Sequence, residues 1–253
     1  NTTVSGSFMV TVAGMVILDD DVLAEKKMIT PFANKDQQWE ILDDGRFCIE
    51  VGDIKVLNCY PAIDGQQIIP MGVNIERNGL TIKVEYLLEK ERLILTFRSQ
   101  DHSLTLESRF YGEKAPHWIY PLAGGKIHGA DRFYKQGLGF AGPSGCFPFP
   151  DPEKRLEGDF LKEEAWSHDS YLATGLISES TTMVLGAYDH ANFLNRSTLY
   201  NRQYRFGLID RHLDENSIYL ESGFSLENIR LKNGYTDLPA LQIFTGNDAF
   251  QTL

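Results

Sequence analysis

The chain carries 35 Asp and Glu residues, so carboxylates are the first chemistry to look for. Cleaving a glycosidic bond needs two of them facing each other across a sugar, on the order of 5 to 10 Å apart. No pair here sits in a recognisable catalytic motif, and no catalytic residue is assigned. Asp19-Asp20-Asp21 has the composition of a cation claw. Consecutive residues of an extended chain alternate faces, however, and a solvated turn accounts for the run better. Asp151, Glu153, Glu157 and Asp159 are better spaced, but Lys154 and Arg155 already neutralise part of that set. The six histidines (His102, His117, His128, His168, His190 and His212) show no HxH or HExxH spacing, which argues against a metal centre. Cys48, Cys59 and Cys146 lack a CxxC pair. They could form at most one disulfide, or remain as three buried thiols. No metal or other cofactor is expected.

Nucleophilic and nucleotide chemistry fare no better. Gly142-Pro143-Ser144-Gly145 lacks the GxSxG spacing of a nucleophile elbow. Gly137-Leu138-Gly139 with Gly142 approaches a phosphate-binding GxGxxG. It follows aromatics rather than a clean strand and runs into Pro and Phe rather than a helix. Aromatic and polar residues mixed in loops are what remain. Sugar rings stack their C–H faces on Trp and Tyr, while Asp, Asn, Arg and Gln bind the hydroxyl rim. Trp118, Tyr120, Phe133, Tyr134 and Trp166 supply platforms, and Gln136, Asp189, His190, Asn192 and Arg196 supply rim groups. The carbohydrate-binding set expected from this is Trp118, Tyr134, Gln136, Trp166, Asp189, His190, Asn192 and Arg196. Taken singly, each aromatic is better read as a core plug beneath a long loop.

The elements that must position these groups read as strands. Leu80, Ile82, Val84, Tyr86 and Leu88 alternate with Thr81, Lys83 and Glu85, the period of a half-buried strand. Glu89-Lys90-Glu91 is a polar turn, Leu93, Leu95 and Phe97 resume the alternation, and Gln100-Asp101-His102 leads to a third strand through Leu104, Leu106 and Phe110. Three such strands make an antiparallel meander. Phe8, Val10 and Val12 alternate too, and Asp43-Asp44-Gly45 leads into Phe47, Ile49 and Val51. Gly52-Asp53 precedes Ile54, Val56 and Leu57; later come Met183, Leu185 and Ala187, then Ile218, Leu220 and Phe224. Turn residues every eight to twelve positions suit an antiparallel β-sandwich, an all-β fold of one domain over residues 1–253. Asp151 to Trp166 is the best helix candidate, with Pro152 suited to a first turn, and Gly158 fits a loop with a short helix equally well. From Trp118 to Pro150, Gly, Pro and aromatics crowd together and alternation fails, which reads as long connections over one end of the sheets.

Bulk properties narrow the function classes. The chain has 253 residues, 42% hydrophobic and 23% charged, enough to build a sizeable core. A net charge of −11 with scattered cations argues against a nucleic-acid partner. The longest apolar run, Met9 to Leu18, is broken by Thr11 and Gly14 and falls short of a membrane span. Asn1 is not preceded by an apolar leader, so a secretory signal is expected to have been removed or never present. The compartment, periplasmic, secreted or cytoplasmic, stays open. Asn195-Arg196-Ser197 fits a glycosylation sequon.

The second half carries a resemblance. Ser167-His168-Asp169 to Gly175-Leu176-Ile177, then Thr182-Met183-Val184-Leu185-Gly186-Ala187, resembles the N-terminal β-supersandwich domain of melibiase-type (family 36-like) α-galactosidases. Glu221-Ser222-Gly223-Phe224 through Leu238-Pro239-Ala240-Leu241 is similar to that domain's last strand and its lead into a catalytic (β/α)8 barrel. Phe133-Tyr134-Lys135-Gln136-Gly137 falls where the family has an Asn-Gly-Trp type loop, with Leu138 in place of the Trp. The resemblance implies a galactose-mutarotase-like supersandwich, a barrel beyond Leu253 that bears the catalytic aspartates, and a non-catalytic role in packing on that barrel. It also implies a galactoside-like carbohydrate partner and a capacity for homo-oligomerisation. A free-standing carbohydrate-binding module is one alternative. Another is a mutarotase-like sugar epimerase, which would need His190 or His212 to converge with Glu221.

Overall fold

The computed structural model describes residues 28–34, 37–100, 103–138, 143–149, 167–187, 192–201 and 217–246. Among them there are strands, turns and bends but no helix. The first sheet contains β1 (Met28–Asn34), β2 (Gln37–Leu42), β3 (Phe47–Val51), β4 (Ile54–Ile63), β5 (Gln66–Gln67), β10 (Trp118–His128), β13 (Ser167–Tyr171), β16 (Leu194–Tyr200) and β17 (Tyr219–Ser225). Its order is β1-β2-β3-β4-β10-β17-β16-β13, with β5 paired to β4. The second sheet contains β6 (Gly72–Asn78), β7 (Thr81–Leu87), β8 (Arg92–Gln100), β9 (Ser103–Tyr111), β11 (Arg132–Lys135), β12 (Gly145–Pro148), β14 (Ala173–Ile177), β15 (Thr182–Ala187) and β18 (Tyr235–Gly246). Its order is β12-β11-β14-β15-β18-β9-β8-β7-β6, and every pairing in both sheets is antiparallel.

The two sheets pack face to face, and strands such as β2 and β7 bury one side of their pleat against the other sheet. Trp39 from β2, Phe47 from β3 and Phe97 from β8 meet edge to face across the interior, with centroids 5.9, 5.1 and 5.0 Å apart. Trp39 Nε1 donates to the Arg98 carbonyl at 3.1 Å, so its one polar atom is satisfied inside the core. Tyr86 does the same through its hydroxyl, which donates to the Gly45 carbonyl. Leu95, Leu106, Leu122, Leu185, Leu220 and Ile243 continue this interior with no exposed surface.

The meander expected from Leu80 to Phe110 is present as β7, β8 and β9, consecutive and antiparallel. Leu80 departs from the pattern: it lies in the β6–β7 turn and is 69% exposed. The expected long connection from Trp118 to Pro150 is mostly strand where it is described. β10 runs through the middle of the first sheet and is buried along most of its length. Its register shifts twice against β17, between Ile119 and Leu122 and between Leu122 and Gly125. Each irregularity moves the alternation out of phase, which is why no period of two shows in the sequence. The strand at Phe8 to Val12, the triple Asp19 to Asp21 and the helix candidate at 151–166 lie outside the described residues.

Cys48, Cys59 and Cys146 are all free, and Cys146 is exposed rather than buried. Burial pushes the Cys48 and Cys59 thiols up from their ordinary range, which suppresses the reactive thiolate. Ellman's reagent is therefore expected to titrate one thiol in the native protein at pH 8 and three after denaturation. Cys146→Ser should abolish the native signal, and prompt labelling of two or more native thiols would contradict these burials.

Candidate carbohydrate-binding site

Four strands of the first sheet set the site by alternation. Leu122, Leu199, Leu220 and Phe224 face the interior, so the alternate residues Arg196 and Thr198 on β16 and Glu221 and Gly223 on β17 face outward. Register then places Asp169, Thr198 and Glu221 directly beside one another on β13, β16 and β17. With strands ~4.8 Å apart, the two acidic residues stand ~10 Å apart at Cα with the threonine between them. Thr198 Oγ1 donates to Asp169 Oδ1 at 2.7 Å. Glu221 is only 7% exposed although it lies on the outer face.

One step along the strands, Tyr171, Arg196 and Gly223 form the next row. Gly223 makes room for an aromatic ring: a Cβ there would lie 2.4 Å from Tyr120 Cδ1. Tyr120 therefore lies flat over the backbone of β17 and stacks on Trp118, with centroids 5.7 Å apart and planes 20° apart. Arg196 locks the pair. Its guanidinium carbon sits 4.6 Å from the Trp118 ring centroid, and Nη2 donates to the Tyr120 hydroxyl at 3.0 Å. On the other side of the acidic row, Tyr200 and Tyr219 stack at 5.8 Å and are almost fully buried. The face thus groups aromatic rings, a guanidinium, a hydroxyl and two carboxylates, the group types that hold a polyhydroxylated ring; Trp118, Asp169 and Arg196 are partly exposed, and Tyr120, Thr198, Tyr200, Tyr219 and Glu221 are buried.

Of the expected set, the structure brings Trp118 and Arg196 together, along with the platform residue Tyr120. Tyr134 lies on β11 in the other sheet, opposite Cys146 and Gly175. Its neighbour Phe133 is fully buried against Phe147 and Phe149, a core residue and not a platform. Gln136 is used through its backbone, which accepts from Tyr171 N and donates to Ser170 Oγ. Asn192 lines a depression at the strand ends. Trp166, Asp189 and His190, and also His212, lie outside the described residues. Asp169, Thr198 and the two buried tyrosines were not singled out as site residues from sequence. Their only sequence signal is polar and aromatic alternation in short strands, and the pairing that aligns them is non-local.

One further sequence reading changes with the structure. Asn195 faces inward, 2% exposed, and its Nδ2 donates to Ser222 Oγ and the Gly223 carbonyl. The sequon therefore lies in the interior, where a glycan could not be attached to the folded chain. His168 also faces inward, its ring 4.9 Å from Phe133 and 6.1 Å from Phe147. Burial and the Lys135 charge lower its pKa from the ordinary histidine value, which favours the neutral ring.

No protein-family model matches the sequence, and no curated protein matches it. Solved structures do align with the chain. A TPR-domain containing protein from Parabacteroides distasonis aligns over 85% of this chain with 11% identity and a TM-score of 0.51. This chain spans 46% of that protein's length. A galactose mutarotase-like protein from Clostridium acetobutylicum aligns over 89% of this chain and 96% of its own, with 10% identity and a TM-score of 0.46. At 11% identity the first likeness is one of fold alone, and the fold of this chain is an all-β sandwich of two large antiparallel sheets.

Proposed function

We propose that this chain binds a neutral, galactoside-like carbohydrate on the outer face of its first sheet. The observation that carries this reading is the single-face grouping of Trp118, Tyr120 and Arg196 beside the row of Asp169, Thr198 and Glu221. The same face suits the front domain of an α-galactosidase-like glycoside hydrolase, where it would border a sugar held by the catalytic barrel. It suits a free-standing binding module equally. Glu221 supports a second reading, that of an aldose epimerase. A carboxylate this deeply buried on an outward strand position is the kind of group that serves as a general base at an anomeric hydroxyl.

Titration of the protein with methyl α-galactoside, followed by calorimetry, tests the binding. Saturable binding in the millimolar range or tighter is expected. Trp118→Ala and Glu221→Gln should each weaken it about tenfold or more, a loss of ~1.4 kcal/mol. Unchanged affinity in both variants would refute the proposed face. Polarimetry of freshly dissolved α-galactose separates the two readings: acceleration that disappears in Glu221→Gln supports the epimerase, and no acceleration supports binding alone.

A further inference from the structure

A separate feature lies where β16 begins, β17 ends and β18 begins. A depression of about 540 Å³ there is lined by residues that include Asn192, Phe193, Asn228, Arg230, Lys232, Tyr235 and Asp237. Two turns build its wall. Asn228 takes a left-handed conformation (φ 68°) in the turn closed by Ile229 N donating to the Leu226 carbonyl at 3.0 Å. Asn233 and Gly234 are both left-handed (φ 55° and 78°), and Lys232 and Tyr235 exchange backbone hydrogen bonds of 2.9 and 3.2 Å. That is a two-residue turn of the type Asn-Gly favours.

The charge of this wall is unusual for a chain with a net charge of −11. Asp237 is paired with Arg109, so its charge is already offset. Among the described residues neither Arg230 nor Lys232 makes an ion pair. The adjoining depression, about 430 Å³, shares Asn228 and Ile229 and sets Lys114 and His117 against Glu227. The aromatic members are fixed in place. Tyr235 packs at a tilt of 35° against Tyr111, centroids 5.6 Å apart, and lies under the Arg109 guanidinium at 5.1 Å, while Phe193 packs edge-on to Phe224 at 6.3 Å.

We infer that this depression binds an anionic saccharide of one or two units, through a carboxylate or a phosphate. Arg230 and Lys232 supply the charge that an oxyanion needs. Asn192 and Asn228 offer amides that both donate to and accept from sugar hydroxyls. Tyr235 and Phe193 give the ring an apolar face. The volume falls in the range of about 300–1,000 Å³ usual for small-ligand sites. The inference does not depend on the outer-face proposal.

The test is titration of the whole protein with galacturonate, galactose 6-phosphate, inorganic phosphate and neutral galactose. At least one anionic sugar should bind more tightly than galactose does here, with affinity falling as ionic strength rises. Binding of galacturonate alone would identify the carboxylate as the group read, and binding of galactose 6-phosphate alone the phosphate. The double variant Arg230→Ala/Lys232→Ala should lose about tenfold or more, the effect of removing charge-assisted hydrogen bonds. Lys83→Ala, which removes a surface cation from the second sheet, should leave the affinity unchanged. Circular dichroism verifies that the variants are folded. Failure of both anionic sugars to bind, or equal loss in Lys83→Ala, would overturn the inference. So would inorganic phosphate binding as tightly as galactose 6-phosphate while galacturonate does not bind, because the sugar would then not be recognised.

Discussion

Trp39→Ala is expected to destabilise the fold by about 3 to 5 kcal/mol, the range for removing a large buried aromatic. Trp39 is fully buried, and its ring contacts Phe47 on the neighbouring strand and Phe97 on the opposite sheet. Truncation would open a cavity where the two sheets are joined and would leave the Arg98 carbonyl without the indole donor. Domains of this kind have on the order of 5–15 kcal/mol of total stability, so the variant would lose a large share of it. Urea titration monitored by circular dichroism measures the change. Leu80→Ala is the matched control: at 69% exposure it should stay within about 0.5 kcal/mol of the parent. A loss below about 1 kcal/mol for Trp39→Ala would mean that the two sheets do not meet at this cluster.

The second large effect is expected at Gly223. Substitution by Val places carbon where the Tyr120 ring now lies, since a Cβ alone would come within 2.4 Å of Cδ1 and 2.8 Å of Cε1. The ring must leave, and the Trp118 stack and the Arg196 hydrogen bond depend on its position. Overpacking of this kind costs about 1–3 kcal/mol of stability. More tellingly, galactoside affinity should fall at least as far as in Trp118→Ala, although Gly223 has no side chain to offer a ligand. Gly72→Ala provides the comparison, because a Cβ there meets nothing nearer than Leu87 Cδ1 at 3.6 Å. It should leave stability and binding near the parent values. If Gly223→Val bound galactoside normally, the aromatic pair would not be part of the sugar site.

How much of this was legible in the sequence depended on how local each feature is. β7, β8 and β9 are adjacent in sequence, and β7 buries one face, so Ile82, Val84 and Tyr86 announce their strand by a period of two. β10 does not, because a strand in the middle of a sheet with two register shifts presents buried residues on both faces. The Gly and Pro residues that suggested loops there, such as Gly124 and Pro121, lie within it. The site shows the same division. Trp118 and Arg196 could be chosen by residue type, but nothing in the sequence says that Asp169, Thr198 and Glu221 share a row across 52 residues of chain. That alignment is created by the β13–β16 and β16–β17 registers. Phe133 and Trp118 look alike as aromatics in a Gly-rich stretch, and only the folded sheets separate them, Phe133 fully buried in the core and Trp118 partly exposed.

The most direct test of the central claim is a crystal structure of the protein soaked with methyl α-galactoside. The ligand is expected on the outer face of the first sheet, in contact with the Trp118–Tyr120 pair and with Arg196 or Glu221. A sugar bound elsewhere, with that face empty and the Trp118 ring unmoved, would contradict it.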